Sequence, residues 1–251
     1  MQAPPTNDRL VHDSFAELRV VLEWLESSEG RPGTSARAVL VGGWAVYAYN
    51  PYFGSYDIDL ATNARTRRSL MHHLVTHRGF GKYKDPMSGE IGVVLVTPDG
   101  KEVHIDFASL SQDDTIEGTR VRVPMASLVG EATVVRPGGW YVPIPGRTSL
   151  LLMKLKAAWD RQWRLDHGTS RDEGREREKV IKDEADVLAL VDAEDDERPL
   201  NIRVLGSWFE EHPELGDALE ATAGDRRAYD FYDRDRGPVE RRVRDLIGLT
   251  R

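Results

Sequence analysis

The hydrophobic pattern of the chain changes at Pro145-Gly146, and this change limits the folds that the chain can adopt. Before it, short apolar runs that suit strands alternate with stretches of helical period. After it, the apolar residues follow a helical period in successive patches. This order predicts an α/β (α+β) fold, with a small mixed sheet flanked by helices in residues 1–145 and a helical region in 146–251.

The composition excludes several classes of function. The 251 residues contain no cysteine, which rules out disulfides, thiolate metal sites and a cysteine nucleophile. A formal net charge of −8 argues against a globally basic nucleic-acid coat protein. The longest nearly apolar run, Val39–Tyr49, is shorter than the roughly 20 residues of a membrane span, and the first residues lack the apolar core of a signal peptide. We therefore expect a cytoplasmic protein with no membrane partner.

The first half contains the elements that would carry a site. Ala38–Val41 is predicted to be a short buried strand, followed by a helix over Trp44–Tyr49. Tyr56–Ala61 alternates polar and apolar residues, as a half-buried strand does. Further strands are predicted at 91–96 and 102–108, joined by a Pro98-Asp99-Gly100 turn, and near 119–123, 133–135 and 140–142.

Three aspartates fall where strands could bring them together. Asp57 and Asp59 are two residues apart, so a strand would point both side chains to one face. Asp106 lies on the polar face of the 102–108 segment. Bare carboxylates on one face repel each other, and a divalent cation is the simplest compensation. If the two strands pair, the three acids form a ligand set for two-metal nucleotidyl transfer; solvated strand residues are the alternative.

The residues upstream of the aspartates suit a phosphate group. Gly42-Gly43 follows a strand and opens a helix, which presents main-chain N–H groups and a positive helix end to an anion. Gly54-Ser55 precedes the acids, and the Ser55 hydroxyl can donate to a phosphate oxygen. Taken alone, each feature is also explained by a turn that binds no ligand. The order of strand, Gly-Gly, helix, Gly-Ser, Asp-x-Asp and a distal Asp is much more specific.

This order resembles the signature of the nucleotidyltransferase superfamily that includes DNA polymerase beta. It is most similar to the AbiEii-type nucleotidyltransferase toxins, whose GG-x-A turn and S-x-D-I-D-L strand match Gly42-Gly43, Ala45 and residues 55–60. It is also similar to aminoglycoside and lincosamide nucleotidyltransferases. The resemblance implies two Mg²⁺ ions and an NTP substrate, with Asp57, Asp59 and Asp106 as catalytic metal ligands and Gly42, Gly43 and Ser55 as nucleotide-binding residues.

The helical half carries two cations on one helix face. Lys154 and Arg161 are seven residues apart, or about two turns. The K-L-x-A-x-x-x-R helix of the AbiEii family implies that both bind the nucleotide. The compact ammonium group of lysine and the planar guanidinium group of arginine both suit a triphosphate. Ordinary surface cations of an exposed helix are the alternative. The family's later K/R-D-x-x-D-L pattern is matched by Lys182, Asp183 and Asp186. These residues could form a structural ion network with Arg161, and a chemical role of Asp183 and Asp186 is the alternative.

The resemblance implies transfer of an NMP from an NTP to an acceptor, with release of pyrophosphate. A toxin of a toxin–antitoxin pair would modify tRNA or protein and have a cognate antitoxin, whereas the drug-modifying relatives imply a small hydroxylated acceptor. A non-catalytic sensor or antitoxin of the same fold is the rival class. Residues 60–84 contain no acid but hold Arg65, Arg67, Arg68, Arg78, Lys82 and Lys84, which suits either RNA contact or a solvated helix face.

Overall fold

The computed structural model describes residues 4–29, 37–84, 91–124, 133–135, 142–194 and 197–249, and the chain divides into two compact units. The first comprises Met1–Gln112 and Pro124–Pro145, and the second Asp113–Val123 and Gly146–Arg251. Residues 113–123 therefore belong with the helical region, although the sequence analysis places them in the first. Two hydrogen bonds join this segment to the helical region: Glu117 N–H donates to Asp160 Oδ1 (2.9 Å), and the Trp159 indole donates to the Glu117 carbonyl (3.0 Å).

The first unit is built on a five-stranded mixed sheet. The strands of the chain are β1 (Ala38–Val41), β2 (Ile58–Thr62), β3 (Gly81–Lys84), β4 (Ile91–Val96), β5 (Glu102–Ser109), β6 (Asp113–Thr115), β7 (Arg122–Pro124), β8 (Thr133–Val135) and β9 (Val142–Ile144). The sheet has the order β1-β2-β5-β4-β3, in which only β2 and β5 run parallel. β8 and β9 form a separate antiparallel pair. The predicted mixed α+β fold is confirmed.

The helices of the chain complete both units. They are α1 (Arg9–Glu29), α2 (Gly42–Tyr49), α3 (Ala64–His77), α4 (Arg147–Asp166), α5 (Glu173–Asp192), α6 (Ile202–Glu211), α7 (Pro213–Gly224), α8 (Arg226–Tyr232) and α9 (Arg236–Ile247). Asn63 caps the N-terminus of α3, because its side chain accepts from the N–H groups of Arg65 and Thr66. Among the described residues, no helix combines the length and the apolar character needed to span a membrane.

The core of the first unit follows the alternation of its two central strands. Ile58 and Leu60 of β2 are at most 1% exposed, and the same holds for Val103, Ile105 and Phe107 of β5. Their polar neighbours consequently point to the opposite face of the sheet. The predicted hairpin of β4 and β5 is confirmed.

Several element bounds differ from the prediction. β2 begins at Ile58 rather than Tyr56, so the residues before it lie outside the ladder. β3 and β6 are short and largely exposed, and therefore lack the apolar alternation that would predict them. The strand expected near 119–123 starts later, as β7. Of the segment expected at 140–142, residues 140 and 141 lie outside the described part, and β9 begins at Val142.

The second unit consists of α4–α9 with the β6–β7 ribbon. α4 packs along α5, and α5 also contacts α7, α8 and α9. The centre of α5 is buried from Asp183 to Val191 and includes charged side chains. Ionised groups are rarely buried unless they are paired, and α4 also carries buried charged side chains, among them Lys154 and Asp160.

Candidate functional site

Asp59 and Asp106 are direct neighbours in the sheet. They are register partners on the parallel strands β2 and β5, and partners on adjacent strands point to the same face. Neighbouring strands lie about 4.8 Å apart, so the two carboxylates share a small area of that face. Both residues are half-buried. The condition that the two acidic strands pair is therefore met.

Asp57 is placed differently from the prediction. It is half-buried and lies one residue before β2, where no strand pairing fixes its side chain on the face of Asp59. Within the described ranges, no group of three or more histidine, aspartate or glutamate side chains is arranged to hold a metal ion. The structure therefore brings Asp59 and Asp106 together, and a three-carboxylate site that includes Asp57 stays a prediction.

The aspartate pair fits Mg²⁺. This ion prefers hard oxygen ligands and is commonly held by one or two carboxylates together with substrate phosphates, rather than by a closed protein cage. Asp59 and Asp106 supply two carboxylates on one face, and a divalent cation would offset their mutual repulsion. The role of Asp57 as a further ligand stays a prediction.

Gly42 lies against the Asp59 carboxylate. It is the first residue of α2, directly after β1, and its φ of +65° favours glycine. A Cβ added at this position would lie 2.6 Å from Asp59 Cγ, well inside van der Waals contact. The close approach of the backbone to the carboxylate therefore requires glycine here. The sequence predicts phosphate binding for Gly42 and gives no sign of this second role.

The other residues predicted to bind phosphate are buried. Gly43 lies within α2, and Ser55 is 5% exposed in the turn before Asp57. No side chain caps the N-terminus of α2, where the first main-chain N–H groups have no acceptor within the helix. Contacts of Gly42, Gly43 and Ser55 with a phosphate stay predictions.

Tyr83 is a neighbour of the aspartate pair that the sequence analysis misses. Its hydroxyl donates a hydrogen bond to Oδ1 of Asp106. The exposed strand β3, which carries Tyr83, has no apolar alternation to predict it. One signal was present: Gly92 interrupts the apolar run Ile91–Val96, and an isolated glycine in a strand indicates a close approach of other atoms.

Lys154 is buried in an ion network of the second unit. Its Nζ lies 2.9 Å from Asp183 Oδ1 and 2.7 Å from Asp186 Oδ2, and its side chain is 9% exposed. Burial lowers the pKa of Lys154, but attraction to the two carboxylates outweighs burial and raises the pKa above its ordinary value. The ammonium group is therefore charged, and α5 supplies its counter-charge.

Arg161 belongs to the same network. Its Nε lies 2.7 Å from Asp183 Oδ2 and its Nη1 lies 3.4 Å from Glu176 Oε1. Lys182 adds an ion pair to Asp186 at 3.1 Å. The predicted interhelical ion network is confirmed. A triphosphate is not needed to balance the buried cations, and the nucleotide-binding role of Lys154 and Arg161 stays a prediction.

Glu184, also on α5, has a strongly shifted pKa. Burial is the main cause, and together with the charge and hydrogen bond of Asp225 it raises the pKa of Glu184 to about 8. At neutral pH the Glu184 carboxyl is therefore protonated and donates to the Asp225 carboxylate. Asp225 in turn begins α8, where it accepts from the N–H of Arg227 at 2.8 Å. The proton on Glu184 thus stabilises the contact between α5 and α8.

We expect this proton to make the free energy of unfolding fall as the pH rises from about 5 to 8. The unfolded chain releases it near the ordinary glutamate pKa of 4.5, whereas the folded chain keeps it until about pH 8. Raising the pH therefore favours unfolding over this range, and no further loss follows above it. The free energy of unfolding would fall by roughly 4 kcal/mol in total, at about 1.4 kcal/mol per pKa unit. Glu184→Gln keeps a donor but cannot ionise.

Urea unfolding from pH 5 to 9 measures this effect. The stability of Glu184→Gln relative to wild type should rise from pH 5 to about pH 8 and level off above it. Glu178 is exposed on the same helix, and Glu178→Gln is therefore the matched control, with the wild-type pH dependence. Parallel stability curves for wild type and Glu184→Gln would show that Glu184 is ionised in the folded protein.

Comparisons with known proteins find similarity among solved structures, where four chains match. No family model and no curated protein matches the sequence. Among solved structures, the chain is similar to an antigenic nucleotidyltransferase-like protein from Paracoccidioides brasiliensis, with 18% sequence identity and a TM-score of 0.42. The likeness covers 87% of this chain and 95% of that chain.

Proposed function

We propose that the protein is a Mg²⁺-dependent nucleotidyltransferase, which moves an NMP from an NTP to an acceptor hydroxyl and releases pyrophosphate. The observation that carries the proposal is the register pairing of Asp59 with Asp106 on parallel strands. The backbone of Gly42, at the start of a helix, lies against the same pair. Two carboxylates beside a helix N-terminus suit a nucleotide whose phosphates share a cation with the protein.

The reaction forms a bond between the acceptor oxygen and the α-phosphorus and breaks the bond from that phosphorus to the pyrophosphate oxygen. Mg²⁺ held by Asp59, Asp106 and Asp57, as two ions, would neutralise phosphate charge and make the acceptor hydroxyl more acidic. Asp106 orients that hydroxyl and helps to remove its proton. The phosphate oxygens accept hydrogen bonds from main-chain N–H groups and a hydroxyl, which we assign to Gly42, Gly43 and Ser55.

Lys154 and Arg161 have no step in this mechanism. Lys154 is neutralised by Asp183 and Asp186, and Arg161 is paired with Asp183. Recruiting Lys154 to a triphosphate would break its ion pairs with two buried carboxylates, which is costly. The aspartate pair therefore carries the proposal without them.

For the acceptor, we favour RNA of the tRNA class, with the protein as the toxin of a toxin–antitoxin pair. The supporting observation is the surface of α3, where Arg65 and Arg68 are exposed and Arg67 is half-buried, in a stretch without acids. In a chain of net charge −8, such a surface would attract a polyanion locally. A protein side chain and a small hydroxylated drug are the other acceptor classes, and a non-catalytic sensor or antitoxin is the rival function.

Replacing Arg65, Arg67 and Arg68 together with glutamine is expected to weaken RNA binding and to flatten its salt dependence. Each lost phosphate contact removes about 0.7 to 0.9 from the slope of log K against log salt. NTP affinity should be unchanged, because the nucleotide is assigned to other residues. The measurement is tRNA binding by fluorescence anisotropy at several salt concentrations. A triple variant of the exposed Arg171, Arg175 and Arg177 is the control; equal slopes in both triple variants would argue against RNA.

The experiment that tests the function is incubation of the protein with Mg²⁺ and each labelled NTP in the presence of separate acceptor pools. The pools are total tRNA, total protein, and a panel of aminoglycosides and lincosamides. We expect label in tRNA. Label in protein or in a drug would keep the nucleotidyltransferase and change its acceptor, whereas NTP binding without any transfer would favour the non-catalytic sensor.

A further inference from the structure

Tyr83 and Asp106 lie in one row across three strands. Tyr83 on β3 is the register partner of Gly92 on β4. The β4–β5 register pairs Val93 with Ile105, and its continuation sets Gly92 opposite Asp106. Residues opposite each other on neighbouring strands share a face, so the Tyr83 ring and the Asp106 carboxylate lie on the same side of the sheet. The Tyr83 hydroxyl donates to Asp106 Oδ1 across this row.

Gly92 leaves the space that this hydrogen bond needs. A Cβ at Gly92 would lie 2.5 Å from Cε1 of Tyr83 and 3.0 Å from Oδ1 of Asp106. Glycine weakens a strand interior because it adds backbone entropy and has no side chain to pack. Its presence in the middle of the row is explained by the close approach of the tyrosine and the carboxylate.

The rest of β3 contributes little to the core. Gly81, Lys82 and Lys84 are exposed, and Tyr83 alone is half-buried. The Tyr83 ring packs edge-on against His104, with centroids 4.7 Å apart and planes at 87°. His104 is itself held by Glu102, with Nε2 2.9 Å from Oε2. These contacts fix the ring, so the hydroxyl is held toward the carboxylate.

We propose that Tyr83 is a positioning residue for the Asp106 carboxylate in the nucleotidyl transfer proposed above. Its hydroxyl engages Oδ1 and so fixes the rotation of the carboxylate beside Asp59, its partner in the sheet. A ligand carboxylate that is free to rotate binds a cation more weakly, and hydrogen bonds from such supporting groups typically change metal affinity or activity 10- to 100-fold. Tyr83 touches neither nucleotide nor acceptor in this role and acts through Asp106.

The test compares Tyr83→Phe with wild type in two measurements. Mn²⁺, which shares the oxygen preference of Mg²⁺, is titrated into the nucleotide-free protein and the free ion is counted by electron paramagnetic resonance. The Mn²⁺ Kd should rise about tenfold. In the transfer assay kcat should fall by about 10- to 100-fold, with the KM for NTP unchanged. Tyr232→Phe removes an equivalent bond to Asp192 (2.8 Å) in the second unit and should change neither quantity.

The outcomes separate this proposal from the proposed function. A Tyr83→Phe protein with wild-type Mn²⁺ affinity and wild-type kcat overturns the positioning role, as does a wild-type protein that binds no Mn²⁺. A selective loss of Mn²⁺ affinity in Tyr83→Phe supports the role, even if wild type transfers no nucleotide to any acceptor and the proposed function fails. An equal loss of affinity in Tyr232→Phe would mean a general effect on folding and would also overturn it. Thermal unfolding of each variant shows that the fold is kept.

Discussion

Asp59→Asn is expected to reduce nucleotidyl transfer on the order of a thousandfold or more. A metal ion supplies several kcal/mol of charge stabilisation to a phosphoryl transition state, and each 1.4 kcal/mol is a factor of ten in rate. The substituted asparagine would keep the shape of the side chain but lose the negative charge that holds the cation. The Asp59 side chain is half-buried and lies against the Gly42 backbone. Asparagine has nearly the same size and shape as aspartate, so it should fit in the same space.

Steady-state transfer and thermal unfolding of the same preparation measure this prediction. The fold should be kept, and removal of one of two like charges should leave the melting temperature unchanged or slightly higher. Asp99, in the exposed turn between β4 and β5, provides the control: Asp99→Asn should transfer at the wild-type rate. Full activity in Asp59→Asn would end the catalytic interpretation of the aspartate pair.

Lys154→Met is expected to lower the free energy of unfolding by about 3 to 5 kcal/mol. The substitution removes the cation that lies between Asp183 and Asp186, two carboxylates that are themselves almost fully buried. Methionine fills a similar volume, so the loss would come from the uncompensated charge rather than from a cavity. Urea denaturation at neutral pH measures it.

A double variant separates the ion network from other effects of Lys154→Met. Asp186→Asn removes one of the two carboxylates that Lys154 neutralises, so the loss in the double variant should be smaller than the sum of the two single losses by about 1 to 3 kcal/mol. Strict additivity would contradict the network. If Lys154→Met unfolds at the wild-type urea concentration but binds NTP more weakly, Lys154 is a nucleotide ligand, as the family resemblance implies.

The centre of the site was predictable because it depends on strand alternation. Val103, Ile105 and Phe107 share a buried face, and this alone places Asp106 on the other side of β5. The same reasoning orients Asp59 on β2. Pairing of the two strands then sets the aspartates side by side, because residues opposite each other on neighbouring strands must share a face.

The surroundings of the aspartates were not predictable, for separate physical reasons. Asp57 lies before the first paired residue of β2, and the ends of strands depend on their partners rather than on their own sequence. Tyr83 is on an exposed strand without apolar period. For Lys154, helical spacing fixes the face of the helix but does not show what packs against that face. The carboxylates of α5 occupy it.

The most direct test of the nucleotidyltransferase assignment is the fate of two labels on one NTP. The protein is incubated with Mg²⁺, tRNA and an NTP labelled at the α-phosphorus with one isotope and at the γ-phosphorus with another. Nucleotidyl transfer at Asp59 and Asp106 predicts that the α label enters tRNA and the γ label leaves as pyrophosphate, and that both events cease in Asp59→Asn. Transfer of the γ label to the acceptor, or an α label that enters no acceptor in any pool, would contradict it.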